Sequence, residues 1–188
     1  MSWIARRIDT ASWTGFAIWF AVLFAFSAWA FTMDSPWTRA LAAGGGVLPE
    51  TQPGFSAAEP ALSLGRLGAA KSDYILWQAL DIPYAIMNLM VASLGMGLGL
   101  KKTRLQATPL RFLLLLPVVY VACELVENTF VALFAAGALS PERTLVQVQQ
   151  TATIVKFASG YSSMLLGLAG VLVAAIAQAV GLMRRKKA

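Results

Sequence analysis

The sequence predicts an all-α integral membrane protein: a bundle of four transmembrane helices with a partly helical extracytoplasmic segment between the first and the second. Three observations predict it. Of the 188 residues, 58% are hydrophobic and 13% charged, where ordinary soluble domains are about half apolar and about a quarter charged. The mean hydropathy is +0.67. Four apolar runs reach the length of about 20 residues that a helix needs to cross a bilayer. Runs of that length cannot all be hidden in the core of a soluble chain of this size, which excludes soluble enzyme folds.

The first span, 13–33, carries no charge between Asp9 and Asp34 and is rich in Phe and Trp, so it reads as an anchor facing lipid. Arg6 and Arg7 in front of it, with an Ala28-Trp29-Ala30 step near its end, imitate a signal peptide. The apolar run is too long for a signal core, and Trp29 and Phe31 flank the step awkwardly, so the helix is expected to be retained. The outer segment, 34–73, is too long for an ordinary connection. Gly44-Gly45-Gly46, Pro49, Pro53 and Gly54 mark flexible or extended chain. Ser56-Ala57-Ala58-Glu59 then has the spacing of a capping box, opening a short helix to about Leu67 that stops at Gly68. This segment is a candidate lid over whatever the bundle holds.

The second span is 74–100, the third 112–139 and the fourth 151–183. Ser140-Pro141-Glu142 combines a cap, a proline at the first helical position and an acid in the first turn, so the fourth helix starts ahead of its span. Gln147, Gln149 and Gln150 make that extension half polar, suited to packing on the outer segment.

Basic residues give the orientation, because cytoplasmic loops collect Lys and Arg. Arg6 and Arg7, then Lys101, Lys102, Arg104 and Arg111, then Arg184, Arg185, Lys186 and Lys187 place ten of the 15 basic residues on one side. Both termini are then cytoplasmic. Abundant Ala and Gly with compact loops point to a bacterial inner membrane. The pI near 9.8 follows from this topology and needs no nucleic acid; anionic lipid headgroups on the cytoplasmic side are the partner it implies.

One cysteine and no histidine exclude an internal disulfide, a Ser-His or Cys-His dyad and most zinc, haem and copper sites. No cofactor and no metal site are expected, and Cys123 reads as a small buried hydrophobe. The informative residues are Asp81, Glu124, Glu127 and Lys156, each within a span, where a charge costs roughly 2.5 to 3.5 kcal/mol and normally faces the bundle interior. Glu124, Glu127 and Asn128 share one helical face, as do Asp81, Tyr84 and Asn88. Pro83 can free a backbone carbonyl near Asp81.

Three acids against one base lead to the expectation that at least one carboxyl is neutral at pH 7. Lys156 either snorkels to the outer headgroups or pairs with Asp81 or a glutamate. Asp81 either caps the second helix or lines the interior, and Glu127 with Asn128 serve as a site or as glue between helices. Gly95, Gly97, Gly99, Gly160, Gly167 and Gly170 suit close helix packing rather than a nucleotide loop.

The first functional expectation is a pocket binding a cation, amine or lipid-like ligand, in a transporter, receptor or accessory subunit, with Asp81, Tyr84, Asn88, Glu124, Glu127, Asn128 and Lys156 as its residues and none of them assigned as catalytic. The second is an intramembrane acid–base enzyme acting on a sterol- or isoprenoid-like substrate. The third is a structural subunit assembling with other membrane subunits or with copies of itself. For the second, the set Asp81, Tyr84, Glu124, Glu127 and Asn128 resembles the chemistry of sterol-isomerase-like membrane proteins, whose bundles place acids beside aromatics in an intramembrane pocket. No continuous motif carries that likeness, and no family is assigned from it.

Overall fold

The computed structural model describes residues 3–51 and 58–185, with side chains described over 3–50 and 61–181. It is all-helical, 86% helix without strands among the described residues. Seven α-helices follow in order: α1 Trp3–Thr10, α2 Trp13–Thr32, α3 Pro36–Ala43, α4 Ala58–Arg66, α5 Lys71–Thr103, α6 Leu116–Ala135 and α7 Arg143–Arg185. Four helical stretches, built on α2, α5, α6 and α7, are long and apolar enough to cross a membrane.

The ends of these helices show why the chain departs from the boundaries expected of it. α6 starts at Leu116 rather than 112, after a 3-10 turn over Pro109–Leu115. Pro117 lacks an N–H and its ring would clash with the preceding turn, so the first turn of an α-helix is the place that suits it best. The same helix ends at Ala135 rather than 139. There the Ala138 N–H donates to the Leu133 carbonyl and the Gly137 N–H to that of Phe134, with Gly137 at φ +71°, the left-handed closure that glycine permits.

α7 starts at Arg143, and Pro141 lies outside it. The first helical bond runs from the Val146 N–H to the Glu142 carbonyl, so Glu142 rather than Ser140 occupies the capping position.

The glycine triplet is a helix terminator rather than the flexible linker its composition suggests. Gly46 donates to the Leu41 carbonyl and Gly45 to that of Ala42, closing α3 in the same manner. α3 is opened by Ser35, whose hydroxyl accepts from the Thr38 N–H while the Thr38 side chain accepts from the Ser35 N–H, with Pro36 in the first turn. The expected capping box at Ser56-Ala57-Ala58-Glu59 lies partly outside the described residues; α4 itself ends at Arg66, ahead of Gly68 at φ +51°.

The chain divides into two compact units. One comprises Met1–Leu23, Met87–Val119 and Ser159–Ala188. Its cores are apolar: Ile8 packs with Ala92, Met96 and Leu114, and Ala11 with Leu94, Leu98 and Ala174. α5 and α7 approach closely there because a side chain is missing. A Cβ on Gly95 would lie 2.4 Å from the Gly167 carbonyl oxygen, and one on Gly99 2.7 Å from the Gly170 Cα. Lys101 closes α1, donating to the Asp9 carbonyl at 2.8 Å and the Ala11 carbonyl at 3.3 Å, where a cation complements the negative end of the helix dipole.

The other unit comprises Phe24–Ile86 and Tyr120–Ala158. Its apolar core gathers Ala40, Leu48, Leu64, Leu67, Tyr74 and Val131 among others. Arg39 of α3 binds Asp34 at 3.0 Å and Asp73 at 2.8 Å, and an aromatic cluster joins Phe31, Trp37 and Trp77.

Candidate functional site

The second unit buries a group of polar side chains supplied by one face each of α5, α6 and α7. On α5 these are Tyr74, Gln78 and Asp81; on α6 Glu124, Glu127 and Asn128, with the half-buried Tyr120 beside them; on α7 Gln149, Thr153 and Lys156. Each set follows steps of three or four residues, which stack side chains on one side of a helix. Glu127 is fully buried, and Asp81 and Lys156 are each 7% exposed.

Lys156 is the hub. Its ammonium donates to Glu127 and to Glu124, the latter at 3.4 Å. Glu127 also accepts from the Thr153 hydroxyl, which in turn accepts from the Gln149 amide at 2.9 Å. The headgroup-seeking alternative for Lys156 is therefore not adopted: it is buried and ion-paired. Asp81 lies well inside α5 and caps nothing. It accepts from the Asn128 amide at 3.5 Å and is within hydrogen-bond reach of Glu124, which also meets the Tyr120 hydroxyl.

A fourth carboxyl comes from outside the helices. Glu50, in a 3-10 turn over Pro49–Thr51, is 5% exposed. It accepts from the Tyr74 hydroxyl at 2.5 Å and from the Gln78 amide at 3.0 Å, and lies close enough to Glu127 and Lys156 to feel their charges. Burial pushes its carboxyl up to about 7, against the lowering effect of the Tyr74 hydrogen bond.

Of the residues expected from sequence, the structure thus brings together Asp81, Glu124, Glu127, Asn128 and Lys156. Tyr84 turns its ring to α2, stacking on Phe26 and meeting Phe31 edge-on, with both centroids at 5.7 Å. Asn88 is half-buried and belongs to the other unit. Sequence reasoning missed Tyr74, Gln78, Tyr120, Gln149 and Thr153 as members, although their spacing from Asp81, Glu124 and Lys156 is the signal that finds them. For Glu50 no such signal exists, because its partners lie 24 and 28 residues away on a different element.

Two acceptors in the group lack a donor: Gln78 Oε1 and Asn128 Oδ1 are buried without a hydrogen-bond partner among the described residues. Buried polar atoms are normally paired, so each is a place where a donor is favoured. Among the described residues, no grouping of His, Cys, Asp and Glu has the arrangement of a metal site. A shallow open groove of about 430 Å³ lies between α6 and α7, lined by Cys123, Val126, Thr144, Val148, Ala152 and Val155 among others; none of the four acids lines it.

No protein-family model matches the chain, and neither a curated protein nor a solved structure does. The class is therefore defined by fold and site alone: an all-helical chain with four helices of membrane-spanning length and a buried acid cluster around one lysine.

Proposed function

We propose that this chain is a small membrane protein whose acid cluster binds a cationic, hydrogen-bond-donating group, an amine or a proton, in a transporter, receptor or accessory subunit. One observation carries the reading: among the described residues four buried carboxyls, Glu50, Asp81, Glu124 and Glu127, stand against one buried ammonium, that of Lys156, which pairs with Glu124 and Glu127. A low-dielectric interior resists that imbalance and favours the uptake of positive charge. The unpaired oxygens of Gln78 and Asn128 support a ligand that donates rather than accepts. The cluster uses carboxylates and amides without nitrogen or sulfur ligands, which suits an organic cation or proton better than a transition metal.

The contact between Asp81 and Glu124 favours a second reading. Two buried carboxyls this close are disfavoured as a pair of anions, and a pair sharing one proton would supply an acid and a base to an apolar substrate.

Native mass spectrometry of the protein released from nanodiscs tests both. The expected result is a discrete retained mass, identified as an amine, that disappears in the Glu124→Gln, Glu127→Gln double variant. A retained apolar, uncharged molecule selects the acid–base reading. A bare protein that also takes up no protons in a pH-jump measurement overturns both.

A further inference from the structure

The turn at 47–51 is attached to the second unit in two chemically different ways. Leu48 is fully buried in the apolar core with Leu64, Leu67, Tyr74 and Val131, and Ser63 of α4 donates to the Val47 carbonyl at 3.3 Å. Neither contact responds to pH. The second attachment is Glu50, whose two oxygens are taken by Tyr74 and Gln78, one turn apart on the same face of α5. Next on that face is Asp81, so the Glu50 carboxyl sits at the end of the polar row that leads into the acid cluster.

We propose that residues 47–51 form a proton-operated latch: the Glu50 carboxyl, held between Tyr74 and Gln78, fastens the turn against the acid cluster when protonated and frees it when ionised. Burial of the Glu50 carboxyl sets the sign, because an ionised carboxylate is costly away from water, and the charged and titratable groups facing it divide between the two forms. α5 presents Tyr74 and Asp81, α6 presents Glu127 and α7 presents Lys156. Of the described side chains on α4, which packs on the turn, the charged one is Arg66, which is exposed. Lys156 is already engaged by Glu127 and Glu124, so its charge only partly offsets the cost of ionising a buried Glu50 beside two further acids.

The latch therefore closes at low pH. Burial holds the docked carboxyl at about 7 against an ordinary 4.5. The docked turn keeps its proton through an interval in which the freed carboxyl has lost it. Docking is strongest below pH 4.5, weakens as pH rises to about 7 and is constant above that. Release uncovers Tyr74 and Gln78, and behind them Asp81 and Glu127. The purpose given to release, admitting a cation, rests on the proposed site; the release itself does not.

Hydrogen–deuterium exchange of the full chain in nanodiscs, corrected for the intrinsic pH dependence of amide exchange, tests it. Between about pH 5 and about pH 8 the protection of the Val47, Leu48 and Glu50 amides is expected to fall on the order of fifty- to a hundredfold. Glu50→Gln, which keeps an acceptor for Tyr74 without a titrating group, is expected to stay protected and flat over the same range. A flat profile in the parent chain overturns the latch. So does an unchanged slope in Glu50→Gln, or loss of its protection at both pH values. Failure of the amine reading appears as a bare protein in the mass measurement and leaves this profile unchanged.

Discussion

The two units are built from the same long helices, α5, α6 and α7, yet they solve opposite problems. In the unit holding Gly95, Gly99, Gly167 and Gly170, α5 and α7 meet through backbone, and the space between them has no room for a methyl group. In the unit holding Asp81, Glu124, Glu127 and Lys156, the same helices are faced with polar side chains that occupy the space themselves. Close packing without polar atoms gives rigidity that tolerates no added volume. A buried charged network gives a place for chemistry, and it holds only while every charge is answered. Stability in the first region is thus a matter of volume, and in the second a matter of charge.

The largest effect that separates the two is expected at the hub of the polar unit. Lys156→Met leaves the buried carboxyls without their ammonium and should cost about 3 to 5 kcal/mol, read as a lower unfolding midpoint in mild detergent. Adding Glu127→Gln to it should recover part of the loss, because one stranded charge is removed. If the double variant is no better than the single one, the loss came from volume and the contrast between the regions fails.

Gly95→Ala is the matching perturbation in the other unit. Its Cβ would fall 2.4 Å from the Gly167 carbonyl oxygen, and since both sides are backbone the helices must part, at about 1 to 3 kcal/mol. Its effect should be independent of pH, unlike changes at Glu50. Arg39→Gln is the smallest. Its bridges to Asp34 and Asp73 are exposed, so the change in unfolding midpoint should be slight and should vanish at high salt.

What was legible in the sequence follows the range of the interactions concerned. Helical stretches with the polar faces of α5 and α6 are written in local spacing, so Asp81 and the Glu124, Glu127, Asn128 set could be picked out before any tertiary contact was known. α3 was equally local, since Ser35-Pro36 followed by Thr38 is a capping signal, but it is hidden beside a glycine triplet that reads as linker. Tyr84 and Asn88 share the spacing of Asp81, but the ring of Tyr84 packs on the aromatics of α2, and Asn88 falls in the stretch of chain that belongs to the other unit. Periodicity says which side of a helix a residue occupies and not how far along it the site extends. Glu50 was illegible for a different reason: it sits between prolines in a connection, and only the tertiary fold makes it a neighbour of Tyr74 and Gln78.

The order of residues around the lysine also sets an order in time. Glu124 and Glu127 precede Lys156 by 32 and 29 residues, which at synthesis rates of about 5 to 20 residues per second is a delay of roughly 1.5 to 6 seconds. During that interval the acids of α5 and α6 exist without Lys156, the one buried cation among the described residues. The nascent chain must keep them hydrated, protonated or chaperoned until α7 arrives. A ribosome that stops short of residue 156 leaves a product whose unanswered carboxyls mark it as unfinished.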